Sequence, residues 1–156
     1  MHHQYSGPFS GAAWGTDGAE AVGPIDLPGH LMLHAQRHVH GPTDFTDAES
    51  GNFTFACRHV ERILLEVTGA ERIYTVLIGE TGPHLHAHLI PRFCDEKLVA
   101  MGVEPKHGSA MGVFDLCRAC SAEEGKHADR AEVARVEAEM TKRLAESPMP
   151  MRGADA

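Results

Sequence analysis

A single domain mixing strands with helices is what this 156-residue sequence predicts. Three observations carry that reading. Thr46-Asp47-Ala48-Glu49 is a capping box, and it opens a run whose apolar residues recur at three- and four-residue steps, the period of a helix face. Two largely apolar stretches, 72–78 and 84–93, flank a glycine-rich turn and have the punctuation of a hairpin. With 42% apolar and 23% charged residues the composition is that of a chain able to bury a core, which excludes wholesale disorder and low-complexity classes.

The elements follow in order. Residues 1–27, rich in glycine, proline and small polar side chains, predict a loose arm. Residues 28–147 form the folded domain with a C-terminal extension, and 148–156 a disordered tail. Leu31, Met32, Leu33 and Ala35 make a short apolar strand closing at Arg37-His38. A helix then starts near Asp47. Phe53, Ala56, Val60, Ile63, Leu64 and Val67 are its buried stripe, Arg58, Glu61, Arg62 and Glu66 face water, and Gly69 ends it. Arg72 to Ile78 reads as a buried strand, Gly79 to Pro83 as a turn, and His84 to about Phe93 as the returning strand. Lys97 to Gly112 reads as mostly loop. A last helix near Ala128 to Ala145 carries Val133, Val136, Met140 and Leu144 on one face, to pack on a sheet or a partner. No internal repeat is visible, which removes solenoids and propellers.

Charge narrows the partners. Fourteen basic against 22 acidic residues give a formal net charge of −8, so the chain repels polyanions and no nucleic-acid partner is expected, although a compact phosphate ligand is compatible with it. No apolar run approaches the roughly 20 residues of a membrane helix, and the N-terminus lacks the basic and apolar regions of a secretory leader, so the expectation is a cytoplasmic protein without a membrane partner. Cys57, Cys94, Cys117 and Cys120 are too few and too uneven for a disulfide framework. The unusual residue is histidine, present twelve times.

Three histidines stand in the run His84-Leu85-His86-Ala87-His88-Leu89-Ile90-Pro91-Arg92. A strand sends alternate side chains to opposite faces, so all three imidazoles emerge together while Leu85, Ala87 and Leu89 anchor the other side. A purely structural role is disfavoured, because parallel imidazoles compete for partners and repel one another when protonated. Two chemistries want such a face. One is metal binding, with His84, His86 and His88 as ligands of a hydrolase or oxygenase centre. The other is phosphoryl chemistry, in which one neutral imidazole attacks phosphorus and its neighbours hold the charged oxygens. Spacing alone does not choose between them. A nucleophilic imidazole must be neutral, which predicts activity rising with pH through the histidine range near 6.5.

The run from His84 to Ile90 resembles the His-φ-His-φ-His-φ-φ pattern, φ being apolar, of the histidine triad (HIT) superfamily of nucleotide hydrolases and transferases. The resemblance extends to Pro28-Gly29-His30-Leu31-Met32-Leu33 with its basic end Arg37-His38, to the middle helix, to the 72–78 strand and to Pro91-Arg92, covering about residues 28–93. It implies an α+β, HIT-like fold, a mostly antiparallel sheet with a helix packed on it and a C-terminal helix, assembled as a homodimer. It implies His86 as the nucleophile that takes a small nucleotide as a covalent nucleotidyl-histidine, His84 and His88 as flanking phosphate-orienting and proton-managing residues, and His30 as an upstream fourth histidine. The substrate class is then a phosphoanhydride, phosphoester or phosphoramidate of a small nucleotide, with no cofactor required. A HIT-like nucleotide-binding protein with little turnover is the neighbouring reading.

The sequence also departs from that family. Members commonly place an Asn-x-Gly and a Gly-Gln-Ser or Gly-Gln-Thr ahead of the triad, whereas Ile78-Gly79-Glu80-Thr81-Gly82-Pro83 is shorter and leaves Thr81 and Gly82, with Arg92 beyond the triad, as phosphate-binding candidates. Val22 stands where an acidic ribose ligand usually lies, with Asp26 nearer the strand. Elsewhere, Cys117 and Cys120 have the spacing of half a structural zinc site that Cys94, His107 or His127 would complete, with plain thiols as the commoner outcome. Cys57 reads as a small core residue, His38 and His40 as solvated loop residues, and Lys106-His107 as a basic spot.

Overall fold

The computed structural model describes residues 9–10, 26–35, 37–78, 84–105, 111–120 and 129–147. Along the chain lie β1 (Phe9–Ser10), β2 (Leu31–Ala35), a 3-10 turn (Pro42–Asp44), α1 (Asp47–Thr68), β3 (Arg72–Val76), β4 (His86–Arg92), α2 (Asp95–Ala100), α3 (Met111–Ala119) and α4 (Arg130–Glu146). The strands pair in the order β1-β2-β4-β3, every pair antiparallel, which with the helices makes an α+β fold.

The period of two decides what each sheet face meets. Leu31, Leu33 and Ala35 of β2 and Leu85, Ala87 and Leu89 of the β4 segment are buried on one side. There they meet Ala56, Val60, Ile63 and Leu64 of α1, and α4 closes over the same cluster with Val136 and Met140. α1 forms as its sequence dictates. The Thr46 hydroxyl accepts from the Glu49 amide at 3.2 Å, the Glu49 carboxylate accepts from the Thr46 amide at 2.8 Å, and Gly69 ends the helix at φ 65°. Arg37 then ties the end of β2 to this cap, donating to both Glu49 carboxylate oxygens at 3.0 and 2.8 Å. The bonds from Arg37, with that from the Thr46 amide, hold the Glu49 carboxyl down to about 2.

The opposite sheet face is divided. Ile90, Tyr74 and Val76 are covered by Leu27, Phe93, Leu98, Val103, Val113, Leu116 and Cys120. Further along it the side chains are the histidines of β2 and β4. No described helix is long and apolar enough to cross a membrane.

Four sequence expectations are corrected. Residues 97–112 are not loop throughout, because Lys97–Ala100 complete α2 and Met111 opens α3, helices whose Leu98, Val113 and Leu116 share the cluster that covers Ile90, while 106–110 lie outside the described residues. The 72–78 strand is half-exposed and stops at Val76, and among the described residues it is an edge strand that pairs with β4 alone. β4 itself starts at His86, with Leu85 bonded to Val39 and Ala35 ahead of it. The 1–27 arm is not uniformly loose: Phe9 and Ser10 pair with Ala35 and His34, and Leu27 is buried in the core.

Candidate active site

Gly29 sets the position of the first histidine. Its φ of 84° suits glycine, and a Cβ there would stand 2.6 Å from Thr68 Cγ2 and 3.1 Å from Pro91 Cγ. The chain therefore enters β2 pressed against the end of α1, and His30 emerges on the face away from that helix. Antiparallel register then brings the strands' histidines together, with His34 opposite His86 and Met32 opposite His88.

The rings form one connected array. His30 Nε2 and His88 Nδ1 share a hydrogen bond of 3.0 Å, their rings stacked at 5.3 Å. His86 lies edge-on to His88 at 5.0 Å. His34 lies 5.7 Å from His86 and 6.1 Å from His84, and His84 in turn stacks on His38 at 5.5 Å.

Backbone carbonyls fix two tautomers. A carbonyl only accepts, so His86 Nδ1 donates its hydrogen to the His84 carbonyl at 3.1 Å, and the neutral ring keeps its lone pair on Nε2. His84 Nε2 likewise donates to the Ala35 carbonyl at 2.5 Å. Burial, then the neighbouring charge of His88, pushes the His30 pKa down to about 4. Burial, then His86 and His34, takes His88 to about 4 as well, and His34 is lowered by burial, His86 and His84. At neutral pH these three are uncharged hydrogen-bonding groups.

The four expected catalytic histidines, His30, His84, His86 and His88, are thus on one face and linked. His34 was not among them, although it alternates with His30 and Met32 along β2, the same signal that marks the triad. Arg92, expected to meet phosphate, turns instead to Asp95 at 3.0 Å and to the Phe93 carbonyl. Thr81 and Gly82 lie outside the described residues, as do Val22, Lys106, His107 and His127. Asp26 faces Arg130 at 3.7 Å. Cys117 and Cys120 sit in or against the apolar cluster under α3, where burial raises their thiols to about 11 and 12. Cys57 packs beside the α1 stripe and is raised to about 12. Among the described residues no three histidine, cysteine or acidic side chains converge in the way a metal ion needs.

Imidazoles packed against one another on an α+β sheet face, with His30, His34 and His88 held uncharged, define a histidine-based candidate site. No protein-family model matches the chain. It is similar to the asymmetrical bis(5'-nucleosyl)-tetraphosphatase of Schizosaccharomyces pombe, 30% identical over 97 residues, 56% of this chain and 53% of that protein. The chain spans about half the length of that curated relative. Similar solved structures include the C. elegans NitFhit protein, at TM-score 0.43 and 18% identity over 72% of this chain and 22% of that one. Another is a Bartonella henselae Hit-like protein involved in cell-cycle regulation, at TM-score 0.41 and 17% identity over 68% of this chain and 71% of that one. In its triad and Gly-His strand, taken in order, the chain resembles the histidine triad superfamily.

Proposed function

We propose that the protein is a histidine triad hydrolase or nucleotidyltransferase acting on a phosphoanhydride, phosphoester or phosphoramidate of a small nucleotide. The observation that supports it most is the bond from His86 Nδ1 to the His84 carbonyl, which in the neutral ring leaves the lone pair on Nε2 as the attacking nitrogen. Nε2 attacks the phosphorus, an N–P bond forms, and the bond to the leaving group breaks with its electron pair staying on that group, which takes up a proton. Water or another acceptor then attacks the nucleotidyl-histidine, releasing the nucleotide and returning neutral His86. His84 and His88 orient the phosphoryl oxygens and manage the proton, and His30 holds His88. Each step uses imidazoles alone, so no metal cofactor enters the proposal, and a homodimer is the proposed assembly.

The name of the S. pombe relative makes dinucleoside polyphosphates the first substrates to try. Tag-free protein is incubated with diadenosine tetraphosphate and with an adenosine phosphoramidate, and label from the nucleotide is sought on His86. His86→Ala should lower turnover by about a thousandfold or more, the scale seen when a nucleophile is removed. Parental turnover by that variant counts decisively against the proposal. Tight nucleotide binding by the parent protein with no product over hours would instead favour the binding-module reading.

A further inference from the structure

His34 stands directly across the strands from His86, its ring against those of His86 and His84 at 5.7 and 6.1 Å. Its Nε2 is buried and has no hydrogen-bond partner among the described residues. An orphaned buried nitrogen is costly to maintain, and an apolar side chain would pack against the neighbouring rings without that cost. Burial and the adjacent histidines keep the ring neutral near pH 7, so one ring nitrogen carries a hydrogen and the other a lone pair. The residue as a whole is only half-buried, so its ring already borders the open face. The Cβ–Cγ torsion of a histidine is soft, so a turn of the ring can present Nε2 to that face.

We propose that His34 is a fifth histidine of the site, a phosphate-orienting residue whose Nε2–H donates to a phosphoryl oxygen of the group held at His86. The inference rests on the phosphoryl reading above and extends it to a residue outside the triad and the Gly-His pair. A donor on the β2 side contacts an oxygen that the flanking histidines of β4 leave open. In that low-dielectric setting the bond is stronger than in water. It acts on the phosphate and leaves the base and sugar untouched.

The test separates phosphate from nucleoside and binding from turnover. Inorganic phosphate, adenosine 5'-monophosphate and adenosine are titrated calorimetrically into the parent protein, His34→Phe, which keeps the ring shape without nitrogens, and His34→Gln, which restores a donor. Expected are phosphate and monophosphate affinities about tenfold weaker in His34→Phe, adenosine affinity unchanged, and partial recovery in His34→Gln. Imidazole nitrogen spectra of the parent protein should show the His34 Nε2–H signal shifting on phosphate addition. This reading holds even where a variant folds poorly. Unchanged phosphate affinity in His34→Phe, or a His34 signal indifferent to phosphate, overturns the proposal. Diadenosine tetraphosphate turnover is followed in parallel. Intact turnover with unchanged phosphate binding in His34→Phe sinks the role of His34 alone. His34-dependent phosphate binding with no nucleotide turnover in the parent sinks the nucleotide-cleaving reading alone.

Discussion

Single nitrogens decide what this face can do. The hydrogen bond between His30 Nε2 and His88 Nδ1 requires one ring to donate and the other to accept, and with both held near a pKa of about 4 neither is charged at neutral pH. His88 is thereby fixed in one orientation next to His86. His30→Phe keeps a stacked ring and removes that bond. Steady-state kinetics should show kcat for the first active substrate falling about tenfold to a hundredfold, with KM changed less. Parental kcat would mean that His88 needs no such anchor. The shared face of the triad was legible because alternation on a strand is a strict geometric rule, and His30 through the resemblance of the Gly-His segment. His34 was hidden by the same rule's company, since Leu31, Met32, Leu33 and Ala35 around it read as a plain apolar run. Of the two roles open to Arg92, phosphate contact or a salt bridge, the described structure has the ion pair with Asp95 at the start of α2.

Two elements carry the site's geometry. β2 is anchored at one end by Gly29, whose φ of 84° and 2.6 Å approach to Thr68 leave no room for a side chain. Gly29→Ala should cost roughly 1–3 kcal/mol in urea unfolding and lower activity with it, because any relief moves His30 away from His88. At the other end Arg37 grips Glu49 in the α1 cap, and Thr46→Ala should cost about 1 kcal/mol by the same assay with the site left intact. An equal loss of activity in both variants would deny Gly29 its special place. α1 was legible from 46 to 69 because cap, stripe and stop all agree. α2 and α3 were not. The first spans six residues, too few for a period to show, and Val99 on it is 62% exposed. The second does carry a helical stripe, Val113, Leu116, Cys117 and Cys120, but a Cys-x-x-Cys spacing reads equally well as a metal half-site, and on a helix it simply places both thiols on one buried face.

Across the whole molecule, collecting uncharged imidazoles on one face makes stability depend on pH in a window of its own. His30 and His88 have pKa values near 4 in the folded protein against 6.5 when unfolded. Between those values the unfolded chain binds protons that the folded one refuses, so stability rises with pH there. The stabilisation is complete above about 6.5 and is lost as the pH falls towards 4. His34, also lowered, adds in the same direction. Glu49, held at about 2, contributes with the same sign but only below about 4.5, so the two effects separate along the pH axis. Urea midpoints at pH 7.5, 6.5, 5.5 and 5.0 should fall steadily below 6.5. In His88→Phe the fall over that interval should be visibly shallower, because one refusing group is gone and the bond from His30 with it. A midpoint that stays level from 7.5 to 5.0 would mean that the imidazoles take up protons without opposing the fold, and the picture of a neutral histidine face would fail with it.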